Sequence, residues 1–279
     1  MKERTLAALA AALVMFIPLG APAQSSPAEQ IAALQTQAMT EFLAASPETA
    51  TFLGDYSHDS EWSDPTPAGI AAFKAMLTKY EQSLNAIDMT GATLQDRDDV
   101  TLMRAFVTGQ RRQIREQEAG KDPSAPPLAV LGVTFTMILH KDEQDPSVWW
   151  NDMISRLEKA PAWMAAQRPQ IVNPGRLQAE VAVKQLAMAP ALFNYILTPM
   201  AAQLPADQRA RFIKARDATV AAIGEWTKWM NDNAAGWPIN YAMGADAYNA
   251  MLRDELLLPY DAAQIEAIGQ KTLDAAIAR

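Results

Sequence analysis

The sequence predicts an all-α fold, a multi-helix array, on three observations. Apolar residues recur at three- and four-residue spacing along most of the chain, and proline or a capping residue opens helix after helix. No alternating strand pattern, Asn-Gly hairpin signal or internal repeat of fixed period interrupts them. With 279 residues, 49% of them apolar, the chain is long enough for one large domain or two small ones and can build a core.

The first residues stand apart. Lys2 and Arg4 precede the apolar run Leu6 to Leu19, and Ala21-Pro22-Ala23 then offers small residues where a signal peptidase reads. Residues 1–23 therefore read as a secretory signal peptide, with the mature helical domain at 24–279 and a periplasmic or secreted location. A membrane anchor is the competing reading, but this run falls short of the roughly 20 residues a spanning helix needs. Cleavage removes Lys2, Glu3 and Arg4 and takes the net charge one unit below its value of −8. Such acidity opposes nucleic acid and anionic membrane surfaces as partners, and no later run is expected to span a bilayer. Cysteine is absent, which removes disulfides, thiolate catalysis and Cys-ligated metal together.

Taken in order, Ser26-Pro27-Ala28-Glu29 is a capping box, and Ile31, Leu34, Ala38 and Phe42 continue it as a helix. Ser46-Pro47-Glu48 starts a short helix that Gly54 can close in the left-handed conformation. Asp55 to Pro65, DYSHDSEWSDP, reads as a polar acidic loop. From Thr66-Pro67 the stripe Ile70, Phe73, Leu77, Tyr80, Leu84 and Ile87 predicts a helix to about Asp88. Another runs from Gln95 to Glu118, with Val100, Met103, Val107 and Ile114 inward and Gly120 just past its end. Its Arg111, Arg112 and Arg115 suit a helix C-terminus better than a nucleic-acid surface, because Glu116 and Glu118 interleave with them. Lys121 to Pro127 reads as a linker, and Leu128 to Leu139 as a buried helical or irregular segment.

Asp145-Pro146-Ser147 starts a helix through Trp149, Trp150, Met153, Ile154 and Leu157, with Pro161 expected to break or kink it. Asn173-Pro174 opens one through Leu177, Val181, Val183 and Leu186. Pro190 and Pro199 bracket a shorter piece. Pro205 precedes a long helix to about Trp229, with Phe212, Ala215, Ile223 and Trp226 in register. Gly244 begins a helix carrying Tyr248, Leu252 and Leu256, expected to close at Pro259. Asp261 and Gln264 cap a last one, whose Ile265, Ile268, Leu273 and Ala276 share a face.

Chemistry is harder to find. The two histidines, His58 and His140, lie on separate elements, so the H-E-x-x-H zinc pattern is absent, as are G-x-S-x-G and glycine-rich phosphate loops. His58 with Asp55, Asp59, Glu61 and Asp64 is the densest set of possible ligands. It lacks the glycine and bidentate glutamate of an EF-hand, so a solvated loop with local caps is the simpler reading and cation binding the alternative. Trp149, Trp150, Trp226, Trp229 and Trp237 could line a groove for peptide or sugar, although their helical spacing favours the core.

Several passages resemble the bacterial family called domain of unknown function 885. They are Pro47-Glu48-x-Ala50-Thr51-x-Leu53-Gly54 before the Asp59 to Asp64 loop, Arg156-Leu157 with Pro161, and Gly244-x-x-x-Tyr248 with Ile265 and Gly269 downstream. The resemblance implies an exported, all-helical, metallopeptidase-like protein with zinc at an H-E-x-x-P-G-H stretch in its second half. On that reading this chain is the N-terminal half. It carries no catalytic residue, no metal ligand and no cofactor of its own, and its partner is the missing C-terminal half. Tyr248 is the candidate substrate-binding residue, with peptide the implied substrate of the complete protein. The alternative is a non-catalytic extracytoplasmic binding or scaffolding protein.

Overall fold

The computed structural model describes residues 25–278, so the signal-peptide reading of residues 1–23 lies outside the described residues. Among the described residues every regular element is helical. Helix α1 (Pro27–Ala45) starts at a capping box in which the Ser26 hydroxyl accepts from the Glu29 amide and the Glu29 carboxylate accepts from the Ser26 amide. Helix α2 (Pro47–Leu53) stops at Gly54, whose φ of 83° is the left-handed cap the sequence requires. Helix α3 (Pro67–Ala86) is capped by the Thr66 hydroxyl, and α4 (Leu94–Glu118) by a Thr93/Asp96 box. Together α1, α3 and α4 bury Ile31, Leu34, Leu77, Tyr80, Leu84, Val100, Val107 and Ile114 in one apolar cluster.

A second, larger cluster is built by α5 (Ala125–Leu139), α6 (Pro146–Gln167), α7 (Arg176–Leu186), the short helical pieces between Ala189 and Gln203, and α10 (Ala206–Asn233). The expected linker is partly helix: Pro126 and Pro127 are buried in the first turn of α5, where a proline's missing N–H costs no helical bond. In α7 the inward face is Ala179, Ala182 and Leu186 rather than Leu177 and Val181, which are exposed. Small residues let α7 approach its neighbours closely, so the helix turns its larger apolar side chains outward. The stretch 189–203 comprises α8 (Ala189–Ala191), a π-helical turn Leu192–Leu197, α9 (Thr198–Met200) and a 3-10 turn. By length and apolar composition alone, Arg176–Gln203 could cross a bilayer, against the expectation from sequence. It is interrupted by a turn at Ala187 and Met188, and Phe193 and Leu197 are buried in the second cluster.

Pro161 does not break α6, which continues to Gln167. A proline here leaves the carbonyl of Leu157, four residues earlier, without its helical donor. The buried Thr219 hydroxyl of α10 donates to that carbonyl at 2.9 Å, so the neighbouring helix supplies the missing bond.

The last two helices differ in kind. Helix α11 (Ala245–Asp254) buries only Leu252 and ends before Pro259. Leu257 turns the chain with φ 53°, while the Leu256 and Leu258 amides donate to the carbonyls of Met251 and Leu252. Leu256 is exposed as a result. Helix α12 (Ala262–Ile277) has the expected Asp261/Gln264 capping box and buries no residue, leaving Ile268, Leu273 and Ile277 at least half exposed.

The α6–α10 contact yields a stability prediction. Thr219→Val should destabilise the protein by about 1–3 kcal/mol in urea unfolding, the cost of a buried carbonyl left without a donor. In a Pro161→Ala background, where the helix can make its own bond, the same substitution should cost clearly less.

Candidate functional site

The acidic loop between α2 and α3 has the expected local caps, Asp55 accepting from the Ser57 amide and Asp64 from the Thr66 amide. It leaves Glu61 and Asp64 exposed, but its Asp59 is buried. Its organiser is Arg156 on α6, 2% exposed. The Arg156 Nε donates to the Glu61 carbonyl at 2.9 Å, and Nη2 donates to the His58 carbonyl at 2.9 Å. Nη1 donates to the Thr51 hydroxyl at 2.7 Å, and that hydroxyl donates to Asp59 Oδ1 at 2.5 Å. Asp59, 1% exposed, lies 3.7 Å from Nη1, so its charge is matched by the arginine while Thr51 carries the direct hydrogen bonds. Burial pushes the Arg156 pKa down, and the Asp59 charge opposes that shift most strongly. A planar, permanently charged fork suits this position because it reaches two carbonyls and a hydroxyl in different directions.

The rest of the loop is tied by side chains as well. Trp62 stacks on Trp163 with ring centroids 4.3 Å apart, and its indole donates to the Arg156 carbonyl. The Trp163 indole donates to the Ser63 carbonyl, and Glu48 accepts from both the amide and the hydroxyl of Ser63. Gln170 donates to the Pro65 carbonyl. Among the tryptophans raised as groove candidates, Trp149, Trp150 and Trp226 are buried, and Trp229 and Trp237 pack against the same core.

This fastened loop is a wall. A cleft of about 790 Å³ lies between it, the α1–α2 junction, α3 and the C-terminal half of α4. His58, Glu61, Trp62 and Asp64 line one side, and Phe73, Met76, Gln110, Gln113 and Gln117 lie opposite. A second cleft, about 710 Å³, lies on the other flank of α4, bounded by residues 119–126, 167–178 and 240–255. Gln113, Gln117 and Gln167 line both, so the two clefts meet at the C-terminal half of α4. Helix α11 forms part of the second wall and is pinned there by Arg112, whose Nε donates to both carboxylate oxygens of Glu255 at 2.8 and 2.9 Å.

Tyr248 is 38% exposed and faces neither cleft, whereas Ala247 and Met251 beside it line the second. His58 lines the first cleft, while His140 bonds Glu143 at 2.7 Å on the protein's outside. Among the described residues no group of three or more His, Cys, Asp or Glu side chains could hold a metal ion. The glutamines at the meeting of the clefts escaped the sequence reading because an isolated glutamine on a helix carries no signal; their spacing along α4 was the available clue.

What the geometry defines is an all-α body with a bipartite cleft and no described metal centre. The chain belongs to the family described as bacterial protein of unknown function (DUF885), whose model matches residues 47–279. No curated protein matches it. Among solved structures it is similar to one from Shewanella oneidensis described as "a putative lipoprotein of unknown function", at 21% identity with a TM-score of 0.77. That likeness covers 90% of this chain and 46% of the other, so this chain spans less than half the length of its structural neighbour.

The clamp yields two predictions. Arg156→Lys keeps a charge but cannot serve the three acceptors, so amide exchange across residues 55–65 should accelerate strongly while exchange in α10 stays slow. Asp152, beside Arg156, has its pKa raised by burial and then by the Asp59 charge. Its ionised form is therefore disfavoured in the folded state, and stability is lost as pH rises through its folded pKa. The stability gained by Asp152→Asn, measured by urea unfolding from pH 3 to pH 7, should grow as pH rises through and above the carboxylate range.

Proposed function

We propose that this chain forms one wall of the substrate channel of an exported, zinc-peptidase-like protein, and that it is non-catalytic by itself. The observation that carries this is the pair of clefts meeting on α4, fastened on one side by Arg156 and bounded on the other by α11. A mixed lining of carboxylates, arginines, glutamines and aromatic rings suits a peptide better than a small apolar ligand. In this proposal the zinc stretch implied by the family resemblance belongs to a second helical half, and no catalytic step is assigned to the residues described.

The same proposal accounts for α12. Its Ile268, Leu273 and Ile277 are exposed apolar side chains that nothing among the described residues covers. A second half packing there fits the greater length of the structural neighbour. Export rests on the leader-like residues 1–23. A complete binding or scaffolding protein is the competing reading, and on it the exposed apolar side chains of α12 would meet a partner.

Two measurements test the proposal. The 279-residue chain should retain no stoichiometric zinc through dialysis and cleave no peptide; one zinc per chain with chelator-sensitive hydrolysis would overturn it. In sedimentation the chain should self-associate with rising concentration, and Ile268→Glu with Leu273→Glu should return it to monomer. A wild-type chain that stays monomeric at all concentrations would count against a covered face.

A further inference from the structure

The C-terminal half of α4 carries a row of side-chain amides that neither the clamp nor the ion pairs use. Gln110, Gln113 and Gln117 stand at i, i+3 and i+7, which places them on one face of the helix. All three line the first cleft, and Gln113 and Gln117 also line the second. Their neighbours are committed: Arg111 bonds Glu81, and Arg112 bonds Glu255 and Glu116. Across the junction, Gln167 donates weakly to the Trp163 carbonyl at 3.4 Å. Beyond this row the polar positions of α4 are largely charged, among them Arg97, Asp98, Asp99, Arg104, Arg115 and Glu118. An uncharged strip where two clefts meet therefore has a different chemistry from the rest of its helix.

A primary amide offers both N–H donors and a C=O acceptor, the same pair that a peptide group presents in reverse. Seven residues of helix advance about 10 Å. An extended chain covers that length in about three residues at ~3.3 Å each. The three amides stand about 4.5 and 6 Å apart along the axis, so the row matches such a segment in length. The flexible glutamine side chains, not a fixed repeat, would have to supply the fit to its main chain. From these features we infer that Gln110, Gln113 and Gln117 form a ladder that holds an extended polypeptide by its main chain, with little regard for its side chains. The inference rests on the channel reading and deepens it: the substrate class becomes an unfolded or extended peptide segment passing along α4 from one cleft to the other. A grip of this kind on the main chain leaves the choice of cleavage site to other residues.

The test uses the 279-residue chain with its glutamine side chains labelled with nitrogen-15. The probe is a capped peptide of alternating alanine and serine, long enough to span both clefts, and titration is followed by the side-chain amide resonances. Signals of Gln110, Gln113 and Gln117 should move together. Gln113→Met and Gln117→Met, which keep length and remove the polar atoms, should each weaken binding about five-fold, the size of one net hydrogen bond. Exchanging alanine and serine in the peptide for valine and threonine should leave affinity within about two-fold, well inside one hydrogen bond. Methylating alternate backbone nitrogens of the probe should abolish binding. Affinity unchanged by the methionine substitutions or by N-methylation overturns the ladder and leaves the channel reading standing. Failure of the wild-type chain to bind any of these peptides overturns both.

Discussion

One buried guanidinium sets the shape of the candidate site. Arg156 rises from the middle of α6 into the space beneath the α2–α3 loop, where its donors meet the carbonyls of His58 and Glu61 and the hydroxyl of Thr51. An unpaired charge at that depth would be strongly destabilising, and Asp59 supplies the compensating one. The pairing is indirect, relayed by Thr51, so removing any one of the three leaves the others with buried polar groups unsatisfied. Because the guanidinium bonds to backbone carbonyls, it fixes the course of the loop itself. That is why a stretch of eleven mostly polar residues, Asp55 to Pro65, forms a firm cleft wall.

The platform beneath it depends on α6 staying continuous. Arg156 sits five residues before Pro161, and a kink there would swing Trp163 away from Trp62 and detach the loop from its stacking partner. Thr219 satisfies the carbonyl that the proline leaves open. The larger core therefore does more than bury area, since one hydroxyl on α10 supplies the bond that Pro161 removes from the helix carrying the clamp. On the far flank Arg112 plays a similar role at lower cost, drawing Glu255 and the end of α11 against α4. The two arginines hold opposite walls of one bipartite cleft.

Much of the helical order was legible because its signals are local. Ser26 with Glu29, Thr66, Asp261 with Gln264, and Gly54 each decide an end through bonds within a few residues, and each stands where the sequence places it. What escaped was decided by partners distant in sequence. Pro161 looks like a break until Thr219 is beside it, and Asp59 looks solvated until Arg156 is. Leu177 and Val181 are apolar yet exposed, and α7 buries Ala179 and Ala182 instead. The clefts are lined by Ala247 and Met251 of α11 and by glutamines whose chemistry is visible only once the walls are in place.

Arg156, Thr51 and Asp59 act as one unit that defines the cleft wall. The most direct measurement is a double-mutant cycle on the charged pair: Arg156→Met and Asp59→Leu, singly and together, followed by urea unfolding. Each single change strands a buried charge and should cost about 3–5 kcal/mol. The double change removes both charges and should cost less than the sum of the two by more than about 1 kcal/mol. Strict additivity would mean that the two residues act independently and would contradict the account.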